Sequence, residues 1–402
     1  MSGTDDLPIG IVGGGIGGLA LAGAMEKTGR PFVLLEQAPA LTEVGAGIQI
    51  APNGVHVLRF LGVEDKVAAT GGLPTDYHAR DWKTGETLYK QPRNPQFAEK
   101  YGAPYYQIHR ADLLNALQSA VSPDNIRLGR KVSGIEPLED RMRLTMADGD
   151  ILEVAGVVGA DGVHSTVRNT LITQDKPRFA GIIVYRLTAP LKDLPPQFAD
   201  IGSSTFHGPH GHVTVYPISG GELINCALSF ETDAWETESW SLECEKDEVF
   251  AAFDGWYPDV RHLIETTSRI NKWALFDRDP FPVWSTGRTT LLGDAAHPPL
   301  PFLAQGAGMA IEDAYVLAAC LKNRGPDIAG AFEEYQKLRW DRTANVMRAA
   351  RKRVVSMHEA APWKRALRNL NYLVNGLLGR SGKRFNPDWI YSKNVVAEMP
   401  VG

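Results

Sequence analysis

Near the start of the chain, Gly13-Gly-Gly15-Ile-Gly17-Gly18 has the spacing G-x-G-x-x-G. Glycines at these positions let a strand turn sharply into a helix, let the backbone approach a pyrophosphate, and let the helix pack closely on the strand. The free N–H groups and dipole of that helix then favour phosphate charge. Glu36, about 18 residues beyond Gly18, stands where a carboxylate would accept hydrogen bonds from an adenosine ribose. A glycine-rich turn without a ligand would carry the same letters. The apolar run Ile9–Val12 before it, the Ala/Leu-rich run to about Thr28 after it and Glu36 beyond favour a dinucleotide site, with FAD and NAD both open.

A second group is Thr290-Leu-Leu-Gly293-Asp294-Ala-Ala-His297-Pro298, a short apolar strand that delivers a carboxylate to the carboxyl edge of a sheet, where ligands of open α/β sheets bind. A carboxylate there suits polyol hydroxyls such as a ribityl chain; a helix-capping role for Asp294 is the plain alternative. Gln305-Gly306-Ala307-Gly308 then opens a helix through Met309–Ala314, whose N-terminus would stabilise a reduced flavin anion by about 0.3 to 2 kcal/mol. A third group, Val157-Val-Gly-Ala-Asp161-Gly162-Val-His-Ser-Thr-Val-Arg168, reads as a buried strand ending in an Asp-Gly turn before a helix.

Acid–base chemistry is suggested by His210-Gly-His212-Val-Thr-Val-Tyr216-Pro217. Strand alternation puts His210, His212, Thr214 and Tyr216 on one face and Val213 and Val215 on the other. His212 and Tyr216 are then about 13 Å apart at Cα, a span that brackets one aromatic ring. A solvated polar face over a valine core fits the same letters.

These residues need a scaffold. The first 36 residues read as a βαβ unit opening a doubly wound sheet, and strand-then-helix patterns return at 157–168 and 289–321. The expected fold is therefore α/β: a Rossmann-like dinucleotide-binding domain, FAD-binding if the cofactor is a flavin, from residues 1–75, 102–180 and 275–330, with a β-rich substrate domain inserted as 76–101 and 181–274, and C-terminal helices over 331–402. The stretch from about Gly181 to Trp273 alternates in a strand-like way. Leu367, Leu370, Val374, Leu377 and Leu378 fall on one helix face, expected to pack on the body or across a dimer. The basic residues Arg348, Arg351, Lys352, Arg353, Lys364, Arg365 and Arg368 read as a solvated helix face, with an anionic-lipid or coenzyme-facing surface as the alternative.

Composition narrows the function. With 44% hydrophobic and 22% charged residues the chain is neither disordered nor fibrous. A net charge of -5 argues against nucleic acid as a partner. Cys226, Cys244 and Cys320 are odd in number and widely spaced, so no disulfide framework is expected and a reducing, cytoplasmic compartment fits. The N-terminus is acidic where a secretory signal is basic, and no apolar run approaches the roughly 18 residues of a membrane span.

In this order within one chain, the three groups closely resemble the class A flavoprotein monooxygenases, aromatic hydroxylases reduced by NADH or NADPH. The nearest likeness is to those acting on hydroxybenzoates, salicylate and hydroxynicotinate. The likeness covers nearly the whole chain and includes Glu43-Val-Gly45-Ala-Gly47-Ile-Gln49, Pro52-Asn53, His109-Arg110-Ala-Asp112-Leu113 and Leu292–Pro299. It implies FAD, held by Gly13, Gly15, Gly17, Gly18, Glu36, Gln37, Gly47, Arg110, Val132, Asp161, Asp294, Pro298, Gly306 and Ala307. It also implies a transient nicotinamide coenzyme, NADH before NADPH, without a second Rossmann domain, and O2 activated as a flavin C4a-hydroperoxide kept from water.

His212 becomes the base that enriches a phenolic or hydroxypyridine ring, Tyr216 a substrate contact, and Gln49 the polar group on the opposite wall. His297 and Pro298 would sit against the flavin, though His297 also suits a structural place. Where the family has a polar residue facing substrate, this chain has Leu300-Pro-Phe302-Leu303, so Phe302 becomes an apolar pocket wall and ring identity stays open. No metal is expected, and a monomer or homodimer is. A flavin-dependent reductase on the same fold, or a non-catalytic flavin-binding protein, are the alternatives.

Overall fold

The computed structural model describes residues 7–41, 47–233, 242–377 and 387–401. Glu43 to Ala46 of the resemblance and Leu378 of the apolar stripe lie outside these residues.

Ile9–Val12 and Phe32–Leu35 are buried along their whole length, as strands covered on both faces must be. They pair in parallel and form the centre of a five-stranded sheet in the order 289–291, 156–159, 9–12, 32–35, 126–127. Between them the helix Ile16–Thr28 ends at Gly29, whose φ of 72° makes it a left-handed cap. Its small residues let it lie against the long helix Gly306–Arg324. A three-stranded antiparallel sheet (132–137, 142–146, 151–154) covers one side.

The second large element is an eight-stranded sheet in the order 242–243, 271–277, 178–190, 223–231, 211–218, 203–208, 76–81, 87–92. One face carries Phe206, Val213, Val215 and Leu228 into a separate core that includes Val260, Leu263 and Ile264. The other face turns His212, Thr214 and Tyr216 toward the nucleotide-type sheet.

The strand-like reading of 181–273 misses two helices, Lys246–Ala252 and Pro258–Thr266. Acids in their first turns and Pro258 at the start of the second favour helix there. Val260, Leu263 and Ile264 are buried at helical spacing.

After residue 325 the chain is helical: Ile328–Met357, Pro362–Leu377 and two short helices, Asp388–Tyr391 and Val395–Glu398. The expected packing of the apolar stripe on the body is not what the structure shows, because Leu367 and Leu370 are 61% and 56% exposed. Among the described residues, no helix is long and apolar enough to cross a membrane. All three cysteines carry free thiols.

Candidate functional site

A continuous cavity of about 1520 Å³ separates the two large sheets. Ligand pockets usually measure about 300 to 1,000 Å³, so this one has room for a dinucleotide together with a second, smaller molecule.

At one end the fingerprint turn forms the wall. Gly13 has φ +110°, and a Cβ there would come within 2.5 Å of the Ala160 carbonyl oxygen. A Cβ on Gly18 would lie 1.9 Å from the Gly13 oxygen. Gly15 differs: nothing lies within 4 Å of its would-be Cβ, and it opens on the cavity with Ile16 and Gly17. Two glycines therefore make the turn and the third leaves backbone bare for a phosphate.

Glu36 accepts the Gly14 N–H at 2.6 Å and the Ala38 N–H at 2.8 Å, joining the turn to the end of the second strand. Gln37 follows, exposed, whereas the Val132 side chain is buried in the main core. Gly13, Gly18, Glu36, Gln37 and Val132 frame this end and are not among the described residues that line the cavity.

In the middle, Asp294 is walled in by protein yet open to the cavity. Burial pushes its carboxyl above the usual range, against the lowering charges of His297 and Arg110. Arg110 is the first residue of the helix Arg110–Gln118, whose cap is the His109 ring accepting the Ala111 N–H. Gly306 and Ala307, the first turn of Gly306–Arg324, face the same space.

The structure places three expected residues elsewhere. Asp161 accepts the N–H groups of Thr166 (2.7 Å) and Val167 (3.2 Å) and so serves the turn, while its neighbours Ala160 and Gly162 reach the cavity. Burial raises its carboxyl above the usual range against these bonds. Pro299, not Pro298, lines the cavity. His297 points into the protein, with Nε2 2.6 Å from Asp313 Oδ2.

That contact belongs to a buried polar network absent from the sequence reading. Arg339 pairs with Asp313 at 2.7 Å and Glu312 at 2.6 Å, and Arg342 also holds Glu312. The Asn53 amide donates to Glu312 and Gln305. Against the push of burial, the His297 and Arg339 charges hold the Asp313 carboxyl down at about 2. The network locks the helix whose N-terminus faces the cavity; its signal was two adjacent acids inside an apolar helix, Glu312 and Asp313.

At the far end stand His212, Tyr216, Gln49 and Phe302, brought together from three separated stretches. His212 and Tyr216 are each 4% exposed. The Phe302 ring meets the His212 ring edge-on at 5.2 Å between centroids, and His212 Nδ1 lies 2.7 Å from His358 Nε2. Burial, then the His358 and Arg353 charges, hold the His212 ring well below its ordinary pKa. Burial likewise raises the Tyr216 phenol, keeping it protonated.

Gly47 gives its N–H to Asn225 Oδ1 at 2.7 Å, and a Cβ there would come 2.8 Å from the Tyr216 ring, so only glycine lets this strand lie on that tyrosine. His210 does not share the His212 face as the alternation implied. It sits in a left-handed turn at φ 57°, before the strand Gly211–Ile218 begins, and its exposed ring reaches Glu231 at 3.3 Å.

Two pocket residues escaped the sequence reading. The Tyr105 hydroxyl donates to Gln49 Oε1 at 2.7 Å. Arg93, only 6% exposed, lays its guanidinium 3.9 Å above the Tyr105 ring. It donates a long 3.4 Å bond to Gln49 and pairs with no carboxylate among the described residues. No spacing signal marks either residue. The basic run is also more than a solvated face: Arg351 pairs with Asp277 and Asp279, and Lys352, Arg353, Lys364 and Arg368 border the cavity.

Comparison with known proteins agrees with this architecture. A family model described as FAD binding domain matches residues 6–350. The chain is 40% identical over 353 residues to 3-amino-4-hydroxybenzoate 2-monooxygenase of Streptomyces cremeus, covering 88% of each chain. It is 35% identical over 396 residues to 3-hydroxybenzoate 6-hydroxylase of Polaromonas naphthalenivorans, covering 97% of each. Among solved structures it resembles Klebsiella pneumoniae HpxO complexed with FAD and uric acid, with a TM-score of 0.79 and 28% identity over 93% of this chain and 97% of that one. Likeness to a hydroxybenzoate hydroxylase was expected from the motifs; the aminohydroxybenzoate enzyme was not.

Proposed function

Because this chain belongs to the class A flavin-dependent aromatic monooxygenases, we propose that it hydroxylates a small aromatic ring bearing a hydroxyl and a carboxylate, using FAD, NADH and O2. The observation that carries this reading is one continuous cavity, with Gly15 at one end, Arg110, Asp294 and Gly306 in the middle and His212, Tyr216, Gln49 and Arg93 at the far end. Bare backbone at Gly15 and the open Asp294 carboxylate fit the pyrophosphate and ribityl groups of FAD. When bound there, FAD would supply the redox chemistry, accepting hydride from a nicotinamide and activating O2 for oxygen transfer to the ring.

The protein's own residues supply the rest. His212, kept neutral by burial, accepts the ring hydroxyl's proton and so enriches the ring for attack. Tyr216 and Gln49 hold the ring by hydrogen bonds, and Phe302 excludes water from its face. A buried guanidinium with no carboxylate partner among the described residues favours an acid substrate, because Arg93 has already lost its water on folding. The relatives' names point the same way, each a hydroxybenzoate enzyme.

The test is an aerobic NADH and NADPH oxidation panel over hydroxybenzoates, aminohydroxybenzoates, hydroxynicotinates and their decarboxylated counterparts, with product and H2O2 measured together. One acid ring should accelerate NADH use and appear as hydroxylated product. NADH loss that ends only in H2O2 for every ring would refute the proposal, and turnover without O2 would replace it with a reductase.

A further inference from the structure

His212 is the inner end of a chain of three titratable groups. Its Nδ1 lies 2.7 Å from His358 Nε2, and His358 Nδ1 lies 3.0 Å from Glu231 Oε1. The His212 and His358 residues are 4% and 3% exposed, whereas the Glu231 side chain is 41% exposed. His212 borders the large cavity, and Glu231 borders a separate groove on the other side of the wall, beside His210 and Val354. The three groups cross the wall between those two spaces.

The bonding inventory assigns the protons. An ionised carboxylate only accepts, so Glu231 takes the N–H at Nδ1 of His358. Taken as neutral, that ring holds a lone pair at Nε2 and accepts from Nδ1–H of His212 across the 2.7 Å contact. The remaining nitrogen of His212, Nε2, then carries the lone pair that a base needs.

We propose that His358 and Glu231 are positioning residues that fix this tautomer of His212 and relay its proton from the cavity to the outer groove. The inference rests on the reading of His212 as base. In the forward direction the ring O–H bond breaks and its proton joins His212 Nε2. The Nδ1 proton of His212 passes to His358 Nε2, the Nδ1 proton of His358 passes to Glu231 Oε1, and water in the groove removes it. When the product ring regains a proton the same bonds form and break in reverse, so no oxidant or reductant is consumed.

The surroundings suit transit better than storage. Arg353, near the end of the helix that leads to His358, acts on the His212 ring; His207, paired in register with His212 on the adjacent strand, lies beside both rings, and Arg368 from the neighbouring helix acts on His207. His210 meets the other oxygen of Glu231 at 3.3 Å. Burial and the Arg353 charge disfavour a proton resting on His212, whereas Glu231 is the one carboxylate of the three groups and its side chain is 41% exposed.

The test uses FAD-loaded protein carrying Glu231→Gln, Glu231→Asp and His358→Gln. For a phenolic acid that the wild type hydroxylates, Glu231→Gln should lose roughly 10- to 100-fold in product turnover at pH 7, a part of the 10²–10⁴ typical of acid–base catalysis. Glu231→Asp should recover part of that loss. A nitro- or fluoro-substituted ring already ionised at the assay pH needs no base and should lose no more than about twofold. Equal losses for the ionised and un-ionised rings, as a merely structural role would give, overturn the relay.

Nitrogen-15 shifts of the histidine rings, read without substrate, should show Nδ1 protonated and Nε2 bare in both His212 and His358. A proton on Nε2 of His212 overturns the inference. A wild type that turns over no ring refutes the proposed function, and the ring-nitrogen shifts still decide the relay's tautomers.

Discussion

Replacing Arg93 with Met should convert an enzyme that selects an acid into one that barely distinguishes an acid from a phenol. Arg93 is 6% exposed, has no carboxylate partner among the described residues and makes only a 3.4 Å bond to Gln49. The cost of taking its charge out of water is thus already met in the folded protein, and a substrate carboxylate regains the interaction. A charge-assisted hydrogen bond contributes about 1.5 to 3 kcal/mol, which at 1.36 kcal/mol per tenfold corresponds to roughly 10- to 150-fold in kcat/KM.

Because the carboxylate does not react, it is held alike in the ground and transition states, so the loss should appear in KM with kcat nearly kept. Methionine retains an unbranched stem against Tyr105; the lost cation–π contact, about 0.5 to 2 kcal/mol, affects stability rather than the choice between substrates. The assay compares product formation from one hydroxy acid with that from the same ring lacking the carboxyl group. The acid should lose its 10- to 150-fold advantage, and the phenol should be unchanged within about twofold. An equal fall for both rings, or no fall for the acid, refutes the assignment of Arg93.

Three further outcomes follow from the geometry. Gly18→Ala puts a methyl 1.9 Å from the Gly13 oxygen, a backbone atom that cannot swing aside, so the purified variant should lose its flavin absorbance and at least about 1 to 3 kcal/mol of stability in urea titration. Arg339→Met leaves Glu312 and Asp313 buried with one fewer cation, and should cost about 3 kcal/mol in the same titration; a neutral result would show that Arg342 and His297 suffice. His207 and His212 are held below 6.5 in the fold, burial being the main cause. Below pH 6.5 the unfolded chain therefore binds protons that the folded one refuses, and stability should fall as pH drops from 7 to 5.5, approaching about 1.4 kcal/mol per pH unit for each ring. Stability that is flat or rising over that interval would contradict the burial argument.

Some of this was legible because it is local. Gly18 is required by a contact inside the strand–turn–helix itself, with the Gly13 oxygen, and Gly13 by the positive φ of that turn, although the atoms a Cβ there would strike belong to Ala160 on the neighbouring segment; Asp294 follows from a strand ending at the sheet edge. The faces of the strand holding His212 and Tyr216 follow from alternation alone. Alternation misled at His210, where the chain leaves the strand for a left-handed turn, and over 246–266, where helical spacing was hidden among short apolar runs.

The sequence by itself determined the nucleotide-type turn and the α/β architecture, because backbone freedom at glycine and short-range periodicity are written in neighbouring residues; FAD rather than NAD followed from the resemblance carried by the three groups together. Tertiary structure alone decided what surrounds the ring. Arg93 and Tyr105 meet Gln49 from 44 and 56 residues away, and His358 meets His212 across 146. No local propensity encodes such contacts; they exist because two sheets and a C-terminal helix close on one cavity, and burial there changes what each side chain can do.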